Sequence, residues 1–250
     1  MSVHVNIPVF IPHLGCKNQC VFCNQRSISG VSEFDPSKVK GIIDEALCTV
    51  KDDSEVEIAF FGGSFTGIDR ELMIALLEIA YSYVKIGKVM SIRCSTRPDY
   101  INDEILDILE KYGVKVIELG LQSTDNSVLL ATKRGHSFDD ERRACDLIVK
   151  RGFTLVGQMM IGLPFSDVES EIKTADFIIS SGAKGARIYP TVVFYDTELC
   201  DMANSSLYTP LSLEDAVKRS AIVMKRFIDA DVDVIRVGLH SSENLHNEKT

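Results

Sequence analysis

Two kinds of apolar pattern alternate along the chain. Val3–Ile11, Val56–Phe61 and Val89–Cys94 are short, nearly continuous apolar runs rich in β-branched and aromatic residues, which are typical of buried strands. Over residues 39–50 and 72–84, by contrast, apolar residues recur every three or four positions, as they do on one face of a helix. The first part of the chain therefore predicts strands that alternate with helices.

The same order continues through the rest of the chain. Val114–Leu121, Thr154–Ile161 and Ala186–Phe194 predict three further strands, and Val232–Val237 is a candidate for a last one. Capping residues predict where helices begin: Asp35, Asp69, Asn102, Ser137, Ser166 (with Glu169 in a capping box) and Ser212. Alternating helices and mostly apolar strands predict a parallel sheet covered by helices. Six such units, rather than eight, predict an α/β fold, a partial (β/α)6 TIM-type barrel.

Size and composition suit one large domain. With 250 residues, 45% hydrophobic and 25% charged, the chain resembles ordinary globular proteins, and we expect one domain over 1–238 and a polar tail over 239–250. The chain has no run of eighteen apolar residues that would predict a membrane helix, and Met1–Phe10 lacks the pattern of a signal peptide. Seven cysteines, an odd number, favour reduced thiols over a disulfide framework. These features predict a cytoplasmic protein with no membrane partner.

The charge balance limits the kinds of partner. The net charge is −9, whereas dedicated nucleic-acid binders usually carry a basic excess. Four basic residues on or near one predicted helix form either a local basic patch or a solvated helix face: Arg142, Arg143, Lys150 and Arg151. The sequence therefore argues against a dedicated nucleic-acid binder, although it leaves a local contact open.

Candidate metal chemistry lies in the loop that follows the first strand. Cys16, Cys20 and Cys23 form a C-x3-C-x2-C pattern, with Phe22 directly before the third cysteine. Three thiolates are one fewer than the four that normally hold an iron–sulfur cluster, so a [4Fe–4S] cube bound here keeps one iron open for a small ligand. A structural zinc site with His13 as the fourth ligand is an alternative, and three unrelated buried thiols are another.

The other four cysteines are assigned to neither metal binding nor catalysis. Cys48 and Cys145 lie in predicted helices, on faces that we expect to point toward the sheet, and are interpreted as core thiols. Cys94 ends the third predicted strand, and Cys200 lies in a predicted loop.

Other chemically distinctive residues follow the remaining strands. They come directly after the second to fifth strands: Gly62-Gly63, Ser95–Arg97, Gln122 and Gly162–Pro164. In barrels of parallel strands, the loops at the C-terminal ends of the strands form the active site. We therefore expect these residues to meet the cysteine loop, a convergence that a zinc knuckle has no reason to require.

The cysteine spacing, with its aromatic residue, resembles that of the radical S-adenosylmethionine (radical SAM) superfamily. Further matching strings extend the resemblance over about residues 5–237: F-G-G-S-F-T at 61–66, S-T-R-P-D-Y at 95–100, E-L-G-L-Q-S at 118–123, R-G-H at 134–136 and I-G-L-P at 161–164. These strings look most like the radical-SAM module of the Elongator catalytic subunit and its bacterial relatives. They are more distantly similar to the oxygen-independent coproporphyrinogen oxidases.

The resemblance implies which residues hold two cofactors, a [4Fe–4S] cluster and S-adenosylmethionine. The three cysteines of the loop correspond to the cluster ligands. The positions that correspond to S-adenosylmethionine contacts are Phe22, Gly62, Gly63, Ser64, Gln122, Arg134, Gln158 and Tyr189. Among them, the backbone of the glycine pair contacts the methionine ammonium, Gln122 the ribose and Tyr189 the adenine. Arg134 holds the carboxylate, a pairing that arginine can make with two parallel hydrogen bonds.

The resemblance also implies the reaction. One electron from a donor such as flavodoxin or ferredoxin enters the cluster, S-adenosylmethionine is cleaved to methionine and a 5′-deoxyadenosyl radical, and the radical takes a hydrogen atom from the substrate. The Elongator resemblance implies transfer RNA as the substrate, and a tetrapyrrole or other small molecule is the alternative. A non-enzymatic iron–sulfur carrier or zinc-binding protein is a third hypothesis.

Overall fold

Residues 3–11, 14–24, 33–51 and 53–239 are described by a computed structural model. Seven strands form one sheet in chain order: β1 (His4–Ile11), β2 (Glu55–Gly62), β3 (Ser91–Thr96), β4 (Val114–Gln122), β5 (Thr154–Ile161), β6 (Gly185–Pro190) and β7 (Asp233–Val237). Every neighbouring pair is parallel. The sheet curls into a partial barrel with β1 and β7 as its edges. The predicted fold is therefore confirmed, and the candidate last strand is β7.

Helices connect successive strands and cover the sheet. They are α1 (Val39–Leu47), α2 (Arg70–Lys85), α3 (Asp103–Lys111), α4 (Asn126–Ala131), α5 (Phe138–Lys150), α6 (Val168–Ser180), α7 (Glu198–Asn204) and α8 (Leu213–Asp229). The short helices α4 and α7 were not predicted. None of the helices in the described part of the chain is long and apolar enough to cross a membrane.

Most predicted helix caps are in place. The side chains that accept a hydrogen bond from the first turn of α2, α3, α5 and α8 belong to Asp69, Asn102, Ser137 and Ser212. Asp35 caps a 3-10 turn at 36–38 that leads into α1. Helix α6 begins one residue later than predicted, because Asp167 and Ser170 form its capping box in place of Ser166 and Glu169.

Two strand limits differ from the prediction. Strand β3 lies two residues further along the chain than Val89–Cys94. Strand β6 ends at Pro190, although the apolar run continues to Phe194. Proline has no N–H to donate to a neighbouring strand, so it is suited to the end of a strand and not to its interior. The segment after Pro190 therefore leaves the sheet and passes over the mouth of the barrel toward α7.

The main core lies between the sheet and the helices. Phe60 of β2 stacks on Phe65, with ring centroids 4.4 Å apart, and both belong to the same buried cluster as Leu76 of α2 and Phe227 of α8. A second, smaller cluster joins Val21 of the cysteine loop to Leu199 and Tyr208. The loop therefore has apolar support of its own outside the main core.

Candidate functional site

A cavity of about 770 Å³ opens at the C-terminal ends of the strands, beside the cysteine loop. It is lined by every predicted cluster and cofactor residue but one: Cys16, Cys20, Phe22, Cys23, Gly62, Gly63, Ser64, Gln122, Arg134 and Gln158. Tyr189 lines an adjoining cavity of about 230 Å³. The two cavities share wall residues, among them Phe22, Gln122 and Gln158. The candidate site therefore has a larger, polar part and a smaller, aromatic part.

Hydrogen bonds fasten the cysteine loop, residues 14–24, to its neighbours. The Val21 amide donates to the Thr132 carbonyl oxygen at 3.2 Å, and the Leu199 amide donates to the Val21 carbonyl oxygen at 2.8 Å. On the other side, the Lys17 amide donates to the Tyr100 hydroxyl oxygen at 3.2 Å. The loop is thus held by the segment after α4, by the start of α7 and by the turn after β3.

A junction of glycines holds the same loop against the segment after β2. A Cβ atom at Gly15 would lie 2.2 Å from the Ser64 carbonyl oxygen, and one at Gly63 would lie 2.3 Å from the Leu14 carbonyl oxygen. A Cβ at Gly67 would lie 2.4 Å from the Gly15 carbonyl oxygen. Main chain therefore packs directly on main chain, an approach that only glycine permits. The glycine pair after β2 thus has a packing role, and its contact with the methionine ammonium stays a prediction.

The thiols of Cys16 and Cys20 have polar neighbours. The Cys16 sulfur lies 3.5 Å from the Ser64 hydroxyl oxygen, and the Cys20 sulfur accepts a hydrogen bond from Nη1 of Arg134 at 3.2 Å. Cys20 is buried, Cys16 is exposed and Cys23 is half-buried. Ser64 and Arg134, both predicted to contact S-adenosylmethionine, therefore contact the cysteine sulfurs in this structure.

The donor set separates the two kinds of metal site. Within residues 3–11, 14–24, 33–51 and 53–239, no three Cys, His, Asp or Glu side chains converge on a point where they could hold one metal ion. A zinc site requires such convergence, with sulfurs about 2.3 Å from the metal. The thiolates of an iron–sulfur cube instead bind three different irons, so the cube does not require that convergence. All three thiols of the loop line the same cavity. His13, the fourth ligand of the zinc alternative, lies outside the described residues.

Buried polar atoms at the cavity lack partners among the described residues. They are Oε1 of Gln122, Nε of Arg134 and Nη1 of Arg97, and all three residues line the 770 Å³ cavity. Buried polar groups are normally hydrogen-bonded, so a polar ligand in the cavity would complete them. Gln122 stands at a bulge of β4 with φ +74°, and such bulges re-aim side chains. Carboxylate and ribose hydroxyl groups would satisfy these atoms, which fits S-adenosylmethionine.

Arg97 is a site residue to which sequence analysis gave no role. It is buried, its Nε donates to Asp99 Oδ1 at 2.9 Å, and its Nη2 donates to the Arg134 carbonyl oxygen. The guanidinium also lies 5.7 Å from the centre of the Tyr100 ring. Arg97 therefore ties the turn after β3 to the turn that carries Arg134. The available signal was its place directly after a predicted strand, within one of the matching strings.

His136 and Glu141 form a buried neutral pair behind the Arg134 turn. His136 Nε2 lies 3.0 Å from Glu141 Oε1, and neither side chain is exposed. Burial raises the pKa of Glu141 well above its ordinary value. Burial, reinforced by the charges of Arg134 and Arg97, lowers the pKa of His136 to about 3. The hydrogen bond between His136 Nε2 and Glu141 Oε1 therefore joins two uncharged groups, and Nδ1 of His136 lies 3.8 Å from Asp99 Oδ1.

A ladder of buried charges crosses the barrel interior below the smaller cavity. Arg93 donates from Nε to Glu57 at 2.8 Å and from Nη1 to Glu118 at 2.9 Å. Glu118 also accepts from Arg187 Nε at 2.7 Å and from the Gln158 amide at 2.8 Å. Glu118 thereby orients Gln158, one of the predicted cofactor contacts. Sequence analysis missed this ladder, although each of its four charged residues stands within a predicted strand.

The smaller cavity has aromatic walls and a charge-neutral floor. Phe10, Phe22, Phe61 and Tyr189 line it, and the Arg187 guanidinium lies 5.6 Å from the centre of the Phe61 ring. The charge of Arg187 is balanced by Glu118 beneath it. A flat, uncharged group fits such a cavity best. The adenine contact of Tyr189 agrees with this shape and stays a prediction.

None of the four cysteines outside the loop lines the 770 Å³ cavity. Cys94 and Cys145 are buried, and burial raises the pKa of both thiols to about 12. Cys48 is exposed, which corrects its interpretation as a core thiol. It follows the buried Ile43 by five residues and so points about 140° away from it around α1. Cys200 lies in α7 and not in a loop.

Comparison with known proteins places these features in a family context. The family model for the Radical SAM superfamily matches residues 10–178, and the model for the Radical_SAM C-terminal domain matches residues 183–248. The tRNA uridine(34) acetyltransferase of Methanocaldococcus jannaschii is 27% identical over 206 residues, which cover 74% of this chain and 38% of that protein. Elongator complex protein 3 of Homo sapiens is 30% identical over 190 residues, 68% of this chain and 35% of that protein. This chain therefore spans less than half the length of these relatives.

Solved structures share the fold at lower identity. The archaeal Methanocaldococcus infernus Elp3 superposes with a TM-score of 0.71 at 21% identity, over 98% of this chain and 62% of that chain. Coproporphyrinogen III oxidase (HemN) from Escherichia coli, described as a radical SAM enzyme, gives a TM-score of 0.60 at 15% identity, over 92% and 52% of the two chains. At these identities the similarity shows the partial-barrel fold.

Proposed function

Because this chain belongs to the radical SAM superfamily, we propose that its cysteine loop holds a [4Fe–4S] cluster and that the adjacent 770 Å³ cavity binds S-adenosylmethionine. The family match confirms the resemblance seen in the sequence, and the chain is an enzyme of that superfamily. One observation carries the proposal: three thiols meet three buried polar atoms, unpaired within the described residues, at one cavity. When bound, the two cofactors supply a 5′-deoxyadenosyl radical that takes a hydrogen atom from the substrate.

Residues on two sides of the cavity would hold these groups. The three cysteine thiolates would bind three irons, which leaves the fourth for the amino and carboxylate groups of S-adenosylmethionine. Nε of Arg134 is available for the carboxylate, because it has no partner among the described residues. One N–H of Nη1 and one of Nη2 donate to Cys20 and to the Gly120 carbonyl oxygen. Gln122 would accept a hydrogen bond from a ribose hydroxyl through its free Oε1.

Other predicted contacts lie deeper. The amide nitrogen of Gln158 is committed to Glu118, so its carbonyl oxygen is the group left to face the adenosine. Phe22 and Tyr189 would border the adenine in the smaller, aromatic cavity. Ser64 and the main chain of Gly62 and Gly63 would border the methionine end. The aromatic walls would keep water from the site of hydrogen abstraction.

Anaerobic reconstitution with iron and sulfide tests the proposal. We expect about four irons per chain, and on reduction with dithionite we expect S-adenosylmethionine to yield 5′-deoxyadenosine. Cys20→Ala should abolish both results. Cys200→Ala, which changes a cysteine that does not line the cavity, serves as the matched control and should keep both. Stoichiometric zinc without iron–sulfur absorbance would contradict the proposal, as would a cluster that leaves S-adenosylmethionine intact.

Transfer RNA is the first candidate substrate, because the relative from Methanocaldococcus jannaschii is a tRNA uridine(34) acetyltransferase. Several basic residues are not free to form a patch on this chain: Arg142 and Arg143 pair with Asp139 and Asp140, and Arg151 pairs with three acids of α3. We therefore expect help from further protein in binding RNA. Incubation with total transfer RNA and nucleoside mass spectrometry would detect a modified base.

A small-molecule substrate, such as a tetrapyrrole, is the second candidate. It is supported by the more distant resemblance of the sequence to the oxygen-independent coproporphyrinogen oxidases, with which the chain shares its partial-barrel fold. An electron donor such as flavodoxin or ferredoxin is required in either case. We further propose a cytoplasmic location. A single radical-SAM domain over residues 1–238 is also proposed, and the continuous seven-stranded sheet supports this domain assignment.

A further inference from the structure

Arg134 is a buried cation without a carboxylate partner among the described residues. Its Nη1 donates to the Cys20 sulfur at 3.2 Å and its Nη2 to the Gly120 carbonyl oxygen, and only 6% of the residue is exposed. Arg97, which is buried to a similar degree, instead forms an ion pair with Asp99. A buried charge without a counterion is costly. The Arg134 guanidinium therefore favours an anion beside it.

The group in that position is the sulfur of Cys20. Metals bind the thiolate form of cysteine, so the proposed cluster turns this sulfur into the missing anion. Ser64 stands in the same relation to Cys16, because its hydroxyl, 3.5 Å away, can donate to a thiolate. Both donors are fixed by main-chain contacts. The Arg134 carbonyl oxygen accepts from Arg97, and Ser64 belongs to the glycine junction.

We propose that Arg134 and Ser64 set the reduction potential of the cluster by donating hydrogen bonds to two of its thiolate ligands, an inference that rests on the proposed function. Reduction transfers one electron from a one-electron donor to the cluster and adds one negative charge next to three thiolates. A neighbouring positive charge and hydrogen bonds to the sulfurs stabilise that added charge and raise the potential. Arg134 acts in this respect as a positioning residue, in addition to its predicted contact with the cofactor carboxylate.

A redox titration of the reconstituted full chain, without S-adenosylmethionine, tests this inference. Dithionite supplies the electrons, and the reduced cluster is followed by electron paramagnetic resonance. For Arg134→Gln, we expect the ratio of reduced to oxidised cluster at the wild-type midpoint to fall at least about tenfold, which is 59 mV for a one-electron couple. Ser64→Ala removes a neutral donor only, so we expect a fall of about threefold.

Two further variants keep the test decisive. Arg142→Gln removes an equal charge from the exposed face of α5, where it pairs with Asp139, and should leave the potential unchanged. Arg134→Lys keeps the positive charge but lacks the planar guanidinium that donates to Cys20 and Gly120 at the same time. The reduction potential of this variant should therefore lie between those of the wild type and Arg134→Gln. If Arg134→Gln fails to bind iron, Arg134→Lys and Ser64→Ala decide the question.

The outcomes distinguish this inference from the proposed function. A wild-type potential at full iron content in both an Arg134 variant and Ser64→Ala overturns the inference and leaves the proposed function intact. Failure of the wild-type chain to form a cluster overturns both. A lowered potential in both variants, with Arg142→Gln unchanged, supports the inference, because a merely structural loss would reduce iron content and not shift the midpoint.

Discussion

Replacement of Gly63 by alanine tests the glycine junction that holds the cysteine loop. The added methyl group would lie 2.3 Å from the Leu14 carbonyl oxygen and 3.0 Å from that of Ile11. Ordinary van der Waals contact begins at 3.4 Å, so the Leu14 carbonyl would have to recede by about 1 Å in this close-packed region. The obstructing atoms belong to the main chain, so no side-chain rotation relieves the clash. The cysteine loop itself must move.

The expected cost of Gly63→Ala follows from this geometry. Overpacking of this kind destabilises proteins by about 1–3 kcal/mol. Gly63 does not have a positive φ angle, so alanine adds no backbone strain of its own. We expect the free energy of unfolding of the metal-free chain to fall by about 1–3 kcal/mol. Urea unfolding followed by circular dichroism measures this change, and a colorimetric assay after reconstitution should show reduced iron per chain.

Gly41→Ala is the matched control for this prediction. Gly41 lies in α1, and apart from its own helix no atom of the described residues lies within 4 Å of a Cβ atom placed there. Alanine in a helix interior is more stable than glycine by about 0.5–1 kcal/mol, so this variant should gain stability and keep full iron content. Wild-type stability and iron content in Gly63→Ala would show that close main-chain packing does not position the loop.

Further measurements address the site and its surroundings. Glu141→Gln keeps a donor for His136 but cannot ionise. In the wild type, the pKa of Glu141 is raised in the folded state, so only the unfolded chain loses this proton once the pH exceeds the ordinary pKa of Glu. Stability therefore falls by up to about 1.4 kcal/mol per pH unit until the pH reaches the pKa of the folded state. Urea unfolding at several pH values should show that the variant lacks this slope, and equal slopes would contradict a neutral Glu141. Arg134→Ala should weaken S-adenosylmethionine binding by about 1.5–3 kcal/mol in calorimetry, and unchanged affinity would remove Arg134 from the cofactor site. Four cysteines lie outside the loop: Cys48, Cys94, Cys145 and Cys200. Alanine at any of them should preserve iron content and cofactor cleavage, whereas iron loss in a folded variant would indicate a fully ligated cluster. The chain alone should bind transfer RNA weakly and lose it steeply with added salt, because phosphate contacts release counterions; tight, salt-insensitive binding in a filter assay would mean that the acidic composition is misleading.

The strands could be predicted wherever both of their ends are marked in the sequence. Strand β5 has the predicted limits, Thr154–Ile161, because Gly152 precedes it and Gly162, at φ +76°, follows it. The run that continues β6 to Phe194 is apolar enough for a strand, but it leaves the sheet at Pro190. The short helices α4 and α7 have too few residues for a visible period. Their stability depends on tertiary contacts such as that of Leu199 with the cysteine loop.

The site residues could be collected from the sequence because parallel strands send all their C-terminal ends to one rim. Their contacts could not be derived in this way. The hydrogen bond from Arg134 to Cys20 depends on the turn that Arg97 holds, and the pair of His136 with Glu141 depends on how α5 packs. The outward position of Cys48 was derivable, since helical geometry separates it from Ile43. The interpretation of Cys48 as a core thiol was therefore an avoidable error.

The buried charge ladder restricts how this chain can change over evolutionary time. Its side chains belong to Glu57, Arg93, Glu118 and Arg187, and none is more than 9% exposed. Two acids and two bases balance in the ladder, so loss of any one leaves a buried charge uncompensated. That costs about 3–5 kcal/mol, a large share of the total stability of a typical domain. These positions therefore cannot drift one at a time. Descendants that replace the ladder would have to pass through paired substitutions, so the four residues should vary together across the lineage, whatever substrate each descendant acquires.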